Sequence, residues 1–444
     1  MDGCARPRRP GPADASLPPA MAEVRPLRAL RYEPAVCGPL ERLVSPPYDV
    51  IDFAQRAALA AGAEHNVVHI DLPEDEGSAD PYASAAELLR RWRAEGAVVR
   101  AQQPGLWALS QDFLGPDGVR RTRRGVLARV RVQQYGPGQV RPHERTHPGP
   151  KEDRLRLTRA TRANLSPIFA LHSDPAGAAW SSLQDHLTEP PFGDITDCDG
   201  TRHRLWSVSS PAAIDGYVAA LAEAELLIAD GHHRYETARV YAEEIGGEGA
   251  HRYVLCCLVA LEDPGLAVFP THRLLDELDD GAHARVYATL ERDFIVEETT
   301  IDALVPSAAS VGEPVRIGFL DGTDGRPRTL TLREQSTADR ALEGYSEPYR
   351  RLDTALLEVL VLRRALGLSE DDISHKHGLD YARDFEEAIS AVGDGRAGSA
   401  FFMAPPPVEQ VRAIAAAGES MPPKSTYFFP KILTGLLFNP LDEE

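Results

Sequence analysis

The clearest change of hydrophobic period in the chain lies within residues 226–245. Residues 226–229 form an uninterrupted apolar run, which predicts a short buried strand. Asp230-Gly231 ends this run, and Gly231 can adopt backbone angles that other residues avoid. From His233 onward, apolar residues recur at helical spacing, so a helix is predicted to begin here. The pattern therefore predicts a strand, a glycine turn and a helix N-terminus in direct succession.

The same periodicity predicts an α/β (α+β) protein with five segments. An α/β unit over residues 21–135 contains a strand at 66–72, a helix at 82–93 and a hairpin formed by 106–113 and 126–132. A core over 136–275 contains a helix at about 150–163 and strands at 164–171, 226–229 and 253–261. Residues 276–345 supply a connecting helix and hairpin, and an α/β domain over 346–444 closes the cleft, with helices at 352–366 and 408–417 and a strand at 399–403. Residues 1–20 are predicted to be a disordered extension, with Met21 as an alternative start.

Composition narrows the class of protein. The 444-residue chain is 43% hydrophobic and 26% charged, as is typical of globular proteins. Its net charge of −19 argues against nucleic-acid and anionic-membrane binding. Scattered cysteines without a C-x-x-C pair, and apolar runs too short to span a membrane, favour a cytoplasmic protein. Because the chain as a whole is acidic, any site that binds a phosphate group must be a local basic pocket.

The strand–turn–helix segment is the strongest candidate for such a pocket. Free N–H groups and the dipole at a helix N-terminus favour a bound phosphate. We interpret His233 and Arg234 as phosphate donors and Asp230 as a magnesium ligand or an active-site carboxylate. Adjacent histidines rarely bind one metal together, because helical metal pairs stand four residues apart. The alternative is a helix capped by Asp230, with His232, His233 and Arg234 exposed to solvent.

Two further segments carry candidate chemistry. Glu144 precedes a helix rich in Lys and Arg, and could act as a general base or hold a metal, whereas the alternative is a solvated surface carboxylate. The cluster Lys424-Ser425-Thr426 follows two prolines and could bind a carboxylate or phosphate, or form a polar turn. His272 follows an apolar strand and could line the same cleft, but a structural histidine is as reasonable. The chain contains no Walker lysine loop and no G-x-G-x-x-G, G-x-S-x-G or H-E-x-x-H motif.

Taken in order, these motifs resemble a bacterial family known only as a domain of unknown function. The resemblance covers about residues 24–442. The motifs are PPYDVI (46–51), NVVHIDLP (66–73), PHExT (142–146), PKxDRL (150–155), ATRANLSPIF (160–169), IADGHHRYETA (228–238), PTHR (270–273) and MPPKSTYFFPK (421–431).

That family in turn resembles the archaeal ADP-dependent free serine kinase of the ParB/sulfiredoxin superfamily. The shared pieces are the PHE loop, the DGHHR turn and a terminal PK-[ST]-T segment. The resemblance implies a ParB/sulfiredoxin-like nucleotide-binding core at 136–275 that uses ADP or ATP with Mg²⁺. It also implies catalysis by Glu144 and Asp230, and amino-acid binding by the cluster Lys424, Ser425 and Thr426. The nucleotide phosphates would lie at Gly231, His232, His233 and Arg234.

These observations support the hypothesis of a phosphotransferase that moves a phosphoryl group from a nucleotide to the hydroxyl of free serine or a similar small metabolite. Glu144 would accept the hydroxyl proton and Asp230 would hold magnesium. The alternative is a nucleotide-binding regulatory protein of the same superfamily without kinase turnover. A ParB-like nucleic-acid binder is disfavoured by the net charge of −19. The sequence leaves open the acceptor, the choice among ADP, ATP and CTP, and the oligomeric state.

Overall fold

A computed structural model of the protein describes residues 22–74, 80–145, 148–310 and 312–442. The predicted disordered extension at 1–20 lies outside the described residues, as does Thr146 of the PHExT motif.

Fifteen α-helical segments are present in this part of the chain. They are α1 (Pro34–Cys37), α2 (Phe53–Gly62), α3 (Val68–Asp71), α4 (Pro81–Ala94), α5 (Pro148–Thr161), α6 (Ala178–Gln184), α7 (Pro211–Ala220) and α8 (His232–Ile245). The others are α9 (Asp280–Asp293), α10 (Gln335–Ala341), α11 (Glu347–Arg350), α12 (Asp353–Leu357), α13 (Glu370–His375), α14 (Phe385–Gly393) and α15 (Val408–Ala416). Helix α12 continues as a π-helical segment over Glu358–Ala365, within the predicted helix 352–366.

Short strands make up the rest of the regular structure. The first eleven are β1 (Val24–Arg25), β2 (Leu30–Tyr32), β3 (Val98–Arg100), β4 (Leu106–Leu114), β5 (Arg120–Arg131), β6 (Val140–Arg141), β7 (Ala163–Asn164), β8 (Ile168–His172), β9 (Gly193–Thr196), β10 (Arg202–Val208) and β11 (Leu226–Asp230). The remaining ten are β12 (Tyr253–Ala260), β13 (Ala267–Phe269), β14 (His272–Leu275), β15 (Phe294–Glu298), β16 (Arg316–Asp321), β17 (Pro327–Leu332), β18 (Leu379–Ala382), β19 (Ser399–Phe402), β20 (Tyr427–Phe429) and β21 (Asn439–Pro440).

The largest sheet is mixed and has nine strands. Its order is β6-β11-β8-β12-β5-β4-β10-β9, with β1 paired to β5. Strand β11 runs parallel to β6 and antiparallel to β8. Leu226 and Ile228 pack in one core, and Leu227 and Ala229 pack in another, because successive side chains point to opposite faces. Both faces are covered, which explains why the strand is apolar throughout.

This sheet joins segments that the sequence divides at residue 135. Strands β4 and β5, from the predicted unit 21–135, lie between β12 and β10 of the predicted core 136–275. Residue 135 therefore does not separate two sheets. The reason is pairing: six residues of β5, from Val126 to Arg131, pair with β12, so the hairpin contributes central strands.

A second sheet of six strands has the order β15-β17-β16-β19-β14-β18. It combines strands from the predicted core, from the connecting segment 276–345 and from the C-terminal domain. Beyond α15, the chain returns to the rest of the molecule: β20 pairs with β13, and β21 pairs with β7.

The prediction of a strand at 66–72 is wrong. Residues 68–71 form the helical turn α3, which Asn66 fixes by accepting a hydrogen bond from the Val68 N–H at 2.9 Å. Val67, Val68 and Ile70 are all fully buried. Val68, Ile70 and Leu72 alternate with polar residues as they would in a strand, and over so short a segment this alternation does not exclude a helical turn. Among the described residues, the helices are too short or too polar to cross a membrane.

Candidate functional site

A cleft of about 230 Å³ opens where β11 meets α8. The loop after β6, the region around β18 and the segment that contains β20 complete its walls. Its lining includes six basic side chains, namely Arg145, Arg234, Lys376, Arg383, Lys424 and Lys431, and three carboxylates, namely Asp49, Glu144 and Asp230. The cleft is therefore a local basic site in an acidic protein.

Every candidate site residue from the sequence lines this cleft except Ser425 and His272. The Ser425 side chain is buried, where its hydroxyl donates to the Pro422 carbonyl at 2.7 Å and lies 3.0 Å from the Thr354 hydroxyl. Ser425 thus supports the wall of the cleft from behind.

Gly231 forms the turn between β11 and α8. Its φ of +95° lies in the region that favours glycine, and a Cβ at this position would lie 3.0 Å from Nε of Arg234. No side chain of the described residues caps α8 at this end. The first N–H groups of a helix have no partner within the helix, so the cleft borders a helix terminus that presents backbone donors and a positive dipole end.

Asp230 binds two cations at once. Its Oδ2 accepts a hydrogen bond from Nη2 of Arg234 at 2.5 Å, and its Oδ1 accepts one from Nζ of Lys431 at 2.5 Å. Burial alone would raise the pKa of Asp230, but Lys431 and Arg234 outweigh it and hold that pKa well below its usual range. The carboxylate is therefore ionised, and each of its oxygens accepts a hydrogen bond from a cation.

Arg234 reaches from the cleft into the sheet. Its Nη1 donates to the Ser166 hydroxyl at 2.7 Å and to the Pro167 carbonyl. The side chain is only 10% exposed, so its guanidinium is fixed in place. His233, the next residue towards the turn, is half-buried and also lines the cleft.

His143 and His232 form a buried pair beneath the cleft, with ring centroids 4.7 Å apart. The His143 N–H donates to Nε2 of His232 at 3.3 Å. Nδ1 of His143 donates to the Ile228 carbonyl at 2.7 Å, so Nε2 is left to accept from the Thr426 hydroxyl at 2.9 Å. Burial lowers the pKa of both imidazoles, and the rings are neutral. The pair therefore ties the PHE loop to α8 and to Thr426.

Glu144 occupies a different environment from Asp230. Its Oε1 accepts a hydrogen bond from the Lys424 N–H at 3.3 Å, and its Oε2 lies 3.9 Å from Nδ1 of His232. The side chain is 30% exposed. The Met421 N–H also donates to the His143 carbonyl at 2.7 Å, so two backbone contacts hold the PHE loop against residues 421–424.

The residues of the motif at 270–273 lie in two different environments. Thr271 lines the cleft, whereas His272 is buried and its Nδ1 accepts from the Met403 N–H at 3.2 Å. Burial, reinforced by Arg273, lowers the pKa of His272 to about 4. His272 is thus a structural histidine.

Sequence reasoning missed several lining residues, of which Lys431 is the most important. Lys431 belongs to the motif at 421–431, but nothing local links it to Asp230, which is 201 positions away. Composition held a usable signal. The chain has only four lysines among its 48 basic residues, and Lys376, Lys424 and Lys431 all line this cleft. The other missed residues are Tyr48, Asp49, Arg145, Tyr381, Arg383 and Tyr427.

The described residues do not show a magnesium site at Asp230, and ligation of magnesium by this carboxylate stays a prediction. Each carboxylate oxygen already accepts a hydrogen bond from a cation, which leaves one further lone pair on each oxygen. Among the side chains that the structure describes, no group of three or more His, Cys, Asp or Glu residues is arranged to hold a metal ion.

Comparison with solved structures finds weak similarity. A conserved hypothetical protein from Pyrococcus furiosus is 16% identical with a TM-score of 0.34, covering 66% of this chain and 88% of that one. A mutant free serine kinase in complex with ADP is 13% identical with a TM-score of 0.35, covering 67% and 89%. SbnI with a C-terminal truncation, from Staphylococcus aureus, is 12% identical with a TM-score of 0.33, covering 69% and 85%.

No curated protein matches the chain. A family model described as "Protein of unknown function (DUF1015)" matches residues 24–355, which is more than half of the chain. The predicted resemblance to a family of unknown function is thereby confirmed, and the protein belongs to the DUF1015 family.

Proposed function

We propose that the protein is a phosphotransferase that moves a phosphoryl group from ADP or ATP to the hydroxyl of free serine or a similar small metabolite. The observation that carries this proposal is the composition of the cleft. One cavity of about 230 Å³ combines an uncapped helix N-terminus, six basic side chains and the partly exposed carboxylate of Glu144. The motif resemblance to the free serine kinase supports the same reaction.

The electrostatics of the cleft suit a polyphosphate. Phosphoryl transfer depends mainly on positioning and on charge stabilisation. Lys431 and Arg234 share one carboxylate, Asp230, so a net positive charge remains beside the N-terminus of α8. We assign the nucleotide phosphates to this wall, with Gly231 and His233 beside them. His232, which is buried under the loop, orients the PHE loop.

Glu144 is the candidate general base. One carboxylate oxygen is held by the Lys424 N–H. The other makes no hydrogen bond with any described residue, and the nearest ring nitrogen, Nδ1 of His232, lies 3.9 Å away. A partly exposed oxygen in a fixed carboxylate can accept the proton of an acceptor hydroxyl.

Asp230 acts in this proposal by placing the two cations, and no step passes through a magnesium ion held by the protein. The acceptor would lie near Glu144, with the Lys424 ammonium available to an anionic group on it. Thr426 lines the same region, but its hydroxyl is committed to His143.

The test is a transfer screen on the purified full-length protein. ADP, ATP and CTP, each with and without magnesium, are offered against free amino acids and small alcohols, and products are identified by mass spectrometry. Glu144→Gln is expected to lower turnover by roughly 10²- to 10⁴-fold, the usual range for a lost general base, with nucleotide affinity unchanged. Glu225→Gln is the matched control, because Glu225 is 33% exposed, close to the 30% of Glu144, and does not line the cleft.

Near-full turnover in the Glu144→Gln variant would remove Glu144 from the mechanism. A protein that forms no product, yet binds a nucleotide that Arg234→Ala releases, would instead be a nucleotide-binding regulatory protein. The fixed ion pairs of Asp230 are compatible with that second role, because they build a binding site without requiring chemistry.

A further inference from the structure

Residues 421–431, here called the tail loop, bring two lysines to the cleft, Lys424 and Lys431. A buried arginine binds the backbone carbonyls at each end of this loop. We propose that Arg123 and Arg273 are positioning residues, Arg123 for Lys431 and Arg273 for Lys424. The purpose of this placement, phosphate and acceptor binding, rests on the proposed function, whereas the placement itself is measured without any nucleotide.

Arg123, on β5, is fully buried, and its guanidinium donates hydrogen bonds to two consecutive backbone carbonyls. Its Nη1 donates to the Phe429 carbonyl at 3.2 Å, and its Nη2 donates to the Pro430 carbonyl at 2.5 Å. Gln111, on β4, accepts from Arg123 through Oε1 at 2.6 and 3.0 Å. The Gln111 amide nitrogen donates to the Lys431 carbonyl at 3.2 Å. Three successive carbonyls, those of Phe429, Pro430 and Lys431 itself, are therefore fixed by this pair.

Arg123 has no carboxylate partner within ion-pair distance among the described residues. Burial lowers its pKa to about 10, and the charge is balanced by carbonyl and amide oxygens and by the Phe169 ring, 4.5 Å away. An apolar side chain of similar size would avoid the cost of burying this charge. The planar guanidinium, however, can span two neighbouring carbonyls, which an apolar residue or a lysine cannot do.

A polar row across three strands holds Arg123 in place. His203 on β10 lies opposite Gln111 on β4, and Gln111 lies opposite Arg123 on β5. The Gln111 amide nitrogen lies 3.2 Å from Nδ1 of His203, and Nε2 of His203 lies 2.8 Å from Asp197. Because Oε1 of Gln111 faces a guanidinium, its amide nitrogen must face His203 and Lys431. The row thus sets the orientation of the Arg123 side chain.

Arg273, on β14, repeats the arrangement at the other end of the tail loop. It is 3% exposed, its Nη1 donates to the carbonyls of Lys424 at 3.1 Å and of Thr271, and its Nη2 donates to the Pro423 carbonyl at 3.0 Å. Burial lowers its pKa, and its guanidinium stacks over the Tyr381 ring at 5.3 Å. Lys424 adopts a φ of +56°, an uncommon angle for a residue with a side chain, and these bonds hold it there.

The experiment exploits the scarcity of lysine. The full-length protein, without nucleotide, is treated with an amine-specific acylating reagent, and the rate at each of its four lysines is read by peptide mass spectrometry. Lys431 is 17% exposed and paired with Asp230, so it should react slowly. Arg123→Met is expected to raise its rate roughly tenfold, because the backbone that presents it is released. Arg273→Met, the matched control, should leave that rate within about twofold, as expected for independent sites.

A second measurement, hydrogen exchange, tests the role of Arg273. The Lys424 N–H donates to Glu144, and hydrogen exchange of this amide should accelerate in Arg273→Met and stay unchanged in Arg123→Met. Lys151 and Lys376 lie outside the tail loop and report global unfolding, since all four lysines would then react faster. Should a methionine variant unfold, Arg123→Lys and Arg273→Lys keep the charge but cannot span two carbonyls, and the same selective pattern is expected.

Two results would overturn the proposal: an unchanged Lys431 rate in both Arg123 variants, or equal changes at both ends of the tail loop in every folded variant. A protein that binds no nucleotide at all would defeat the proposed function but leave the labelling pattern as it is. The two failures are therefore distinguishable.

Discussion

The two carboxylate walls of the cleft are built in opposite ways. On the wall formed by β11 and α8, Asp230 is 16% exposed and each of its oxygens bonds a cation. On the wall formed by the PHE loop, Glu144 is 30% exposed and one of its oxygens bonds a backbone N–H. Both residues are carboxylates from conspicuous sequence motifs, and the sequence gives them similar prominence.

This difference in environment suits the two carboxylates to different roles. A carboxylate held between two cations stays ionised and cannot readily take a proton, so it serves to place charge. A carboxylate with one unoccupied oxygen beside a cavity can exchange a proton with a ligand. Asp230 therefore belongs to the architecture of the phosphate wall, and Glu144 is the better candidate for chemistry.

The largest expected contrast between the walls is in stability. Asp230→Ala leaves Lys431 and Arg234 close together without an anion, and should lower the free energy of unfolding by about 3 kcal/mol. Glu144→Ala removes one hydrogen bond from a partly exposed side chain, and should cost less than about 1 kcal/mol. Urea unfolding of the full-length chain measures both. Equal losses would mean that the two walls do not differ as described.

The next contrast is in nucleotide affinity. Lys431→Met should weaken ADP binding by about 2 kcal/mol, the scale of a hydrogen bond to a charged group. Lys424→Met, on the Glu144 wall, should change ADP affinity by less than about 0.5 kcal/mol, because Asp230 pairs with Arg234 and Lys431 and the Lys424 N–H bonds Glu144. Isothermal titration calorimetry distinguishes the two variants. Equal weakening would place the phosphates between the walls rather than on one of them.

Much of the Asp230 wall could be predicted from sequence, because its elements are local. The apolar run before Gly231 and the helical spacing after it correspond to β11 and α8 within one residue. The same local reasoning failed at residues 66–72, where apolar residues alternate as in a strand but the chain forms a helical turn. Local pattern thus identifies an element reliably only where one periodicity fits.

Long-range pairings could not be predicted in this way. The contact between Asp230 and Lys431 joins residues 201 positions apart, and the row from His203 through Gln111 to Arg123 depends on strand register. The division at residue 135 stays a prediction, but the pairing of β5 with β12 across it could not be predicted from either segment alone. The composition of the cleft, however, agrees with the expectation of a local basic pocket in an acidic chain.

A third contrast depends on pH. Burial lowers the pKa of His143 and His232 from the usual 6.5, so the folded protein keeps both neutral. Above pH 6.5 both histidines are neutral in the folded and in the unfolded protein, so the free energy of unfolding does not depend on their titration. Below it, the unfolded chain takes up protons that the folded chain refuses, so stability falls as pH falls, by up to about 1.4 kcal/mol per pH unit for each histidine. Urea midpoints between pH 7.5 and 5.5 measure this slope.

Replacing one histidine at a time tests whether the pair beneath the cleft causes this dependence of stability on pH. His232→Gln should reduce it, because Gln cannot titrate. His186→Gln, at an exposed position, should leave it unchanged and serves as the control. An unaltered slope in His232→Gln would show that the pair beneath the cleft is not the source of the pH dependence.

The smallest contrast uses the two glycines that flank α8. Gly231 is left-handed, with φ +95° and ψ 29°, so alanine there should cost about 1 kcal/mol of stability. Gly246 has φ +70° and ψ 175°, a region essentially restricted to glycine, so alanine there should cost about 2 kcal/mol. Only at Gly231 would the new Cβ meet another group, the Arg234 guanidinium, whereas nothing lies within 4 Å of a Cβ at Gly246. Gly231→Ala should therefore also weaken ADP binding, and Gly246→Ala should not. If both variants kept full affinity, Arg234 would tolerate displacement, and the Asp230 wall would be less rigid than its ion pairs imply.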